Sequence, residues 1–214
     1  MLRSRARIRE KWRFAAKVEY NRRNSTVPTL FVPTVPLNSA LDSSPMSQST
    51  AQHRANSPTG LACAVLTVSD TRTPETDTGG KTIVDLLTAA GHRVVAREII
   101  PDDPLRMQPL VAAWAAQGDI DAILLTGGTG ISSRDQTFET ISALLTKPLP
   151  GYGELFRMLS YAEVGAAAML SRAVGGLIGR TVVLTMPGSP AGVRLAIERL
   201  ILPELGHLVR EARR

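Results

Sequence analysis

Apolar residues are unevenly spread along this chain. Beyond roughly the first sixty positions they gather into short continuous runs, separated by segments in which they recur at helical spacing. The run LACAVLTV, residues 61–68, is flanked by polar turn residues and reads as a strand buried on both faces of a parallel sheet. Residues 81–90 place Ile83, Val84, Leu86 and Leu87 on a helix that Gly91 stops. A strand over 93–100 and an amphipathic helix over 105–117 follow, and then DAILLT, 121–126, a second short apolar strand that ends in glycines. Residues 137–145 and 154–170 read as helices, TVVLTM at 181–186 as a strand, and 191–202 as a helix continuing past Pro203. Strand and helix alternate throughout. The pattern predicts an α/β protein, a three-layer α/β/α arrangement on a mainly parallel sheet, with ligands at the carboxyl ends of the strands.

The expected domain spans 61–214, and residues 1–60 read as a separate basic extension. Of the 25 Lys and Arg and 19 Asp and Glu, residues 1–60 hold 10 and 3, so the extension is +7 and the rest of the chain −1. The charge therefore gives no ground for a nucleic-acid partner of the domain. The extension is Arg-rich to residue 24 and Ser-, Thr- and Pro-rich from Asn24 to Gly60, a composition expected of a disordered segment. Three readings compete for it: a targeting or membrane-surface segment, an RNA-binding arm, or sequence upstream of a start at Met46. No apolar stretch approaches the ~18–20 residues of a spanning helix, so a soluble, cytoplasmic protein is expected. The single cysteine, Cys63, falls in the first apolar run and reads as an inert core thiol.

Three predicted strand ends carry the polar chemistry: Ser69-Asp70-Thr71, Thr126-Gly127-Gly128-Thr129-Gly130, and Pro187-Gly188-Ser189-Pro190. Glycines allow backbone N–H groups to approach an anion, so TGGTG is a candidate phosphate cradle. A P-loop is absent because Gly130 is followed by Ile-Ser-Ser, and Ser133 stands where a dinucleotide fingerprint needs glycine. A GxSxG nucleophile turn is missing too, and the three histidines show no metal-ligand spacing. What remains is carboxylate: Asp70, Asp77, Asp102, Asp103 and Asp135, each in or beside a predicted rim loop. Hard oxygens suit magnesium, which takes few carboxylates together with substrate phosphates. Each aspartate singly is also a plausible turn or helix-cap residue, and Thr137 a candidate cap for the helix it begins.

The runs VSDT at 68–71, DTGG at 77–80, PDD at 101–103, TGGTGISSRDQT at 126–137, PGYGE at 150–154, LSRAV at 170–174 and MPGSP at 186–190 occur in an order and spacing that resembles the MoaB/Mog proteins of molybdenum-cofactor biosynthesis, related to the gephyrin G domain. The resemblance covers about residues 61–210, and 151–174 is nearer to the MoaB branch. It implies binding of molybdopterin and, in active members, adenylyl transfer from Mg-ATP to the terminal phosphate of molybdopterin with release of pyrophosphate. It also implies a homotrimer or a hexamer of paired trimers, with other proteins of the pathway as partners.

Carried over by motif, Asp102 and Asp135 match the functional aspartates and would hold magnesium. Thr126, Gly127, Gly128, Thr129 and Gly130 would bind phosphate, while Ser69, Asp70, Gly79 and Gly80 would line the nucleotide side. Ser171, Pro187, Gly188 and Ser189 would face the pterin. The alternative left open by the same motifs is a MoaB-type protein that binds molybdopterin or nucleotide without chemistry.

Overall fold

Strand β1 (Ala62–Val68) is buried at every position, as an uninterrupted apolar run requires of a strand covered on both faces. The computed structural model describes residues 58–214; the expected basic extension and the Met46 start lie outside them, apart from residues 58–60. After β1 the elements are α1 (Thr78–Ala89), β2 (Arg93–Ile100), α2 (Pro104–Ala116), β3 (Ala122–Thr126), α3 (Thr137–Leu144), β4 (Lys147–Pro148), α4 (Pro150–Val164), β5 (Gly175–Ile178), β6 (Thr181–Met186), α5 (Pro190–Ala196) and α6 (Leu202–Ala212). They build one sheet in the order β2-β1-β3-β6-β5-β4. The first four strands are parallel, and β5 and β4 run antiparallel at one edge.

Alternation along the central strands divides the apolar side chains between two cores. Cys63, Val65, Leu124, Val182 and Leu184 pack with Ile83 and Leu87 of α1, Phe156 of α4, Val193 of α5 and Leu205 and Val209 of α6. On the other face Ala64, Leu66, Ile123, Leu125 and Val183 meet Met107, Val111 and Trp114 of α2 and Ile141 of α3. Each fully buried Leu or Ile contributes about 1.5–3 kcal/mol, so the two helical layers are held chiefly by these contacts rather than by helix propensity. Cys63 lies in the first core, where burial pushes its thiol up to about 12.

The three-layer architecture and mainly parallel sheet are as the sequence predicts, but four local features differ. The antiparallel β4 and β5 were not expected, because a two-residue strand and the sequence GGLI carry no apolar alternation. The helix expected over 154–170 begins earlier, at Pro150, whose fixed φ suits a first turn, and ends at Gly165, which caps it at φ +61°. Residues 165–170 then form a 3₁₀ turn. The first helix starts three residues before the expected Lys81, because Asp77 caps it by accepting from the Gly80 amide. Between α5 and α6 a π-helical turn (Ile197–Ile201) precedes Pro203, whose missing N–H interrupts the regular ladder.

Strand register sets up the rim. Thr67 stands beside Thr126, and Thr126 beside Met186, so β1, β3 and β6 end level with one another.

Candidate active site

At this rim the chain leaving β3 turns on glycine. Gly127 sits at φ +103°, and a Cβ there would overlap the Val68 carbonyl; Gly128 follows at φ +64°. The Gly127 amide donates to the Met186 carbonyl at 3.0 Å and the Thr126 hydroxyl to the Pro187 carbonyl at 2.9 Å, tying the TGGTG loop to the end of β6. The next three carbonyls are all tied inward. Gly128 O accepts from the Thr137 amide (3.2 Å), Thr129 O from the Arg172 amide (2.9 Å), and Gly130 O from Arg172 Nε (2.6 Å). Among the described residues no acceptor is paired with the amides of Gly128, Thr129 or Gly130. A loop fixed through its carbonyls with its amides unspent is suited to an anion.

Two carboxylates flank it. Asp102, following β2, is half-buried and accepts the Gln136 amide at 3.2 Å on both oxygens. Burial pushes its carboxyl above the usual carboxylate range; the Gln136 amide opposes this, and the charges of Asp135 and Asp70 reinforce it. Asp135 Oδ2 accepts the Ser132 amide at 2.8 Å and lies 2.8 Å from the position a Gly130 Cβ would take. Asp70 forms an exposed ion pair with Arg134. Asp102, Asp135 and the glycine loop are thus in one place. No group of three His, Cys, Asp or Glu side chains among the described residues forms a ready-made metal cage. Magnesium needs none, since it is commonly held by one or two carboxylates with substrate phosphates and waters, and this donor set fits it.

The other expected site residues divide. Ser69 closes its own turn, its hydroxyl accepting the Thr71 and Arg72 amides. Gly79 and Gly80 are buried, Gly79 against Thr126 and the Gly188 carbonyl, and Gly80 against Thr67 and Asp77. Their backbone is spent on close packing at the start of α1. Ser171, Pro187 and Ser189 line a cavity of about 170 Å³ with Ser160, Glu163 and Gly192. Gly188 is exposed beside it, and the Ser189 hydroxyl also caps α5 by accepting the Gly192 amide at 3.2 Å.

Two of the five candidate carboxylates are spent inside the fold. Asp103 caps α2, accepting the Leu105 amide at 2.9 Å. Asp77 is 3% exposed and accepts from Thr67 Oγ1, Arg97 and the Gly80 amide at 2.8–2.9 Å. Thr137 does not cap α3: Gln136 holds the cap position without a side-chain bond, and Thr137 begins the helix with its hydroxyl unpaired among the described residues.

Ser171 is a motif candidate, but its neighbour Arg172, which the motif does not single out, holds the loop. Besides the two loop carbonyls already named, Arg172 donates to the Asp135 carbonyl at 2.9 Å, pairs with Glu139, and lies 5.3 Å over the Phe138 ring. A lone arginine between a helix and a strand was the available signal. Arg172→Lys keeps the charge but loses the planar fork. It is expected to cost about 1.5–3 kcal/mol in urea unfolding; an unchanged midpoint would show that the loop does not depend on this clamp.

The family model described as "Probable molybdopterin binding domain" matches residues 64–207, which include the glycine loop and both carboxylates. Molybdenum cofactor biosynthesis protein B of Bacillus cereus is 52% identical over 167 residues, 78% of this chain and 99% of the relative. A crystal structure of a molybdenum cofactor biosynthesis protein B aligns with TM-score 0.71 at 53% identity, covering 73% of this chain and 98% of that one. The tungsten cofactor synthesizing protein MoaB of Pyrococcus furiosus aligns with TM-score 0.64 at 38% identity, covering 73% and 99%. With the fold, the motif order and these matches in agreement, the chain belongs to the MoaB/Mog family of molybdenum-cofactor biosynthesis proteins, on its MoaB branch.

Proposed function

We propose that this rim binds molybdopterin and Mg-ATP and transfers the adenylyl group between them. The observation that supports the reading best is the TGGTG loop, carbonyls tied down and amides unspent, set against Asp102 and Asp135. An oxygen of the pterin's terminal phosphate attacks the α-phosphorus of ATP; the new P–O bond forms as the bond to pyrophosphate breaks, and pyrophosphate leaves. Such a transfer needs positioning and charge neutralisation more than a covalent nucleophile. The free amides of Gly128, Thr129 and Gly130 donate to phosphate oxygens. Asp102 and Asp135 hold magnesium, which when bound offsets charge on the phosphates. Ser69 and Asp70, with Gly79 and Gly80 behind them, border the nucleotide. The cavity lined by Ser171, Pro187 and Ser189, with Gly188 at its edge, takes the pterin.

The working molecule is a cytoplasmic homo-oligomer, a trimer or a hexamer of paired trimers that hands its product to other proteins of the pathway. In support, α4 and the turn after it leave Leu155, Met158, Tyr161 and Met169 exposed, at 47, 56, 65 and 75%. Apolar exposure concentrated in this way marks an interaction surface.

The test is pyrophosphate release by the full chain mixed with molybdopterin and Mg-ATP. Release that requires both substrates is the expected result. Pterin binding without release would move the protein to the binding-only reading.

A further inference from the structure

The side chain of Thr137 is fully buried, yet its hydroxyl has no hydrogen-bond partner among the described residues. A buried unpaired hydroxyl costs about 1–3 kcal/mol, so one retained at the edge of a site calls for a reason. Its place supplies one. A Cβ at Gly128 would overlap both Thr137 Oγ1 and Asp102 Oδ2, so the two oxygens pack side by side into the space that the missing Cβ leaves. The Thr137 amide is already committed to the Gly128 carbonyl, which fixes its backbone and leaves only the hydroxyl free to respond. Among the described residues Asp102 is held by a single amide, that of Gln136, shared at 3.2 Å between both oxygens. One shared donor does not fix the rotation of a carboxylate; a second, on Oδ2, would.

We propose that Thr137 is a positioning residue for Asp102, its hydroxyl donating to Oδ2 when magnesium and nucleotide occupy the rim. The inference rests on the adenylyl-transfer reading, in which Asp102 holds the metal. With Oδ2 pinned by Thr137 and the Gln136 amide drawn to Oδ1, the carboxylate would be fixed in one rotation, in which it would hold the cation. Outer groups that orient metal-binding carboxylates in this way contribute substantially to affinity.

The test compares Thr137→Val, Thr137→Ser and Thr137→Ala by calorimetric titration with Mg-ATP and by thermal unfolding without it. Valine replaces the hydroxyl with a methyl of similar size. The expected result is an unfolding temperature equal to or above that of the wild type, together with a Mg-ATP affinity about 10–100-fold weaker. Serine restores wild-type affinity, and alanine does not. The serine and alanine pair isolates the hydroxyl even where valine does not fold. Valine binding Mg-ATP as the wild type does, or serine weakening it as much as alanine, would overturn the role of Thr137 alone. Failure of the wild type to bind Mg-ATP would overturn the adenylyl-transfer reading, and this inference with it.

Discussion

Asp135→Asn is expected to lower pyrophosphate release by at least about 100-fold while leaving the fold intact, the scale seen when a preorganised electrostatic group is removed from a transition state. The substitution is nearly isosteric, and the loop around it does not require the charge. Ser132 donates its amide to Oδ2 at 2.8 Å, a bond that the amide oxygen of asparagine also accepts, and Arg172 grips the main-chain carbonyl of residue 135 rather than its side chain. What asparagine cannot supply is an anionic oxygen for magnesium. Steady-state pyrophosphate assays beside a far-ultraviolet melting curve separate the two effects. Wild-type turnover in the variant would remove Asp135 from the mechanism, and a collapsed melting transition would assign it to the loop's structure instead.

Asp77→Ala has the opposite signature, a loss of stability of about 3 kcal/mol that originates beneath the rim rather than at it. Its carboxylate caps α1 through the Gly80 amide, accepts the Thr67 hydroxyl of β1, and pairs with Arg97 of β2 at 2.9 Å. Alanine removes all three contacts and leaves Thr67 and Arg97 without this acceptor. For a folded unit of this size the change corresponds to about 6–12 °C in melting temperature. Asparagine keeps the cap but not the charge, and is expected to fall between.

The pH dependence has a definite sign. Burial raises the Asp77 carboxyl, but the bonds from Arg97, Gly80 and Thr67 outweigh it and hold the folded-state value below the usual carboxylate range. Its stabilisation is therefore fully present above the unfolded-state pKa of about 3.9 and is lost as pH falls through the lower folded-state value. Denaturant titrations of wild type and Asp77→Asn should converge on acidification. A gap unchanged down to the acid transition would show that the charge of Asp77 contributes nothing.

The contrast between these two aspartates shows how much of the site the sequence displays. Both lie in motifs beside glycines near a predicted strand end, and both were candidates for the same magnesium. Distance along the chain cannot distinguish them, because the deciding partner of Asp77 is Arg97, twenty residues away on the neighbouring strand. Asp103 is separated from Asp102 in the same way: one carboxylate turns back onto the Leu105 amide of its own helix, and the other reaches across to Gln136. The importance of Arg172 is not legible at its own position, because it lies in contacts 37 to 43 residues back along the chain, with Thr129, Gly130 and Asp135.

The sequence by itself determined the layers and the loop. Continuous apolar runs suit only strands covered on both faces, helical spacing between them supplies the covers, and the paired glycines at 127 and 128 permit the positive φ that turns the chain off β3. These are local consequences of side-chain shape and period. Tertiary structure decided what depends on neighbours remote in the chain: the level ends of β1, β3 and β6, the antiparallel β4 and β5, the inward commitment of Asp77, the grip of Arg172, and the hydroxyl of Thr137, unpaired among the described residues, beside Asp102. Burial and pairing across the sheet assign a carboxylate to the fold or to the rim, and neither is written at its own position in the chain.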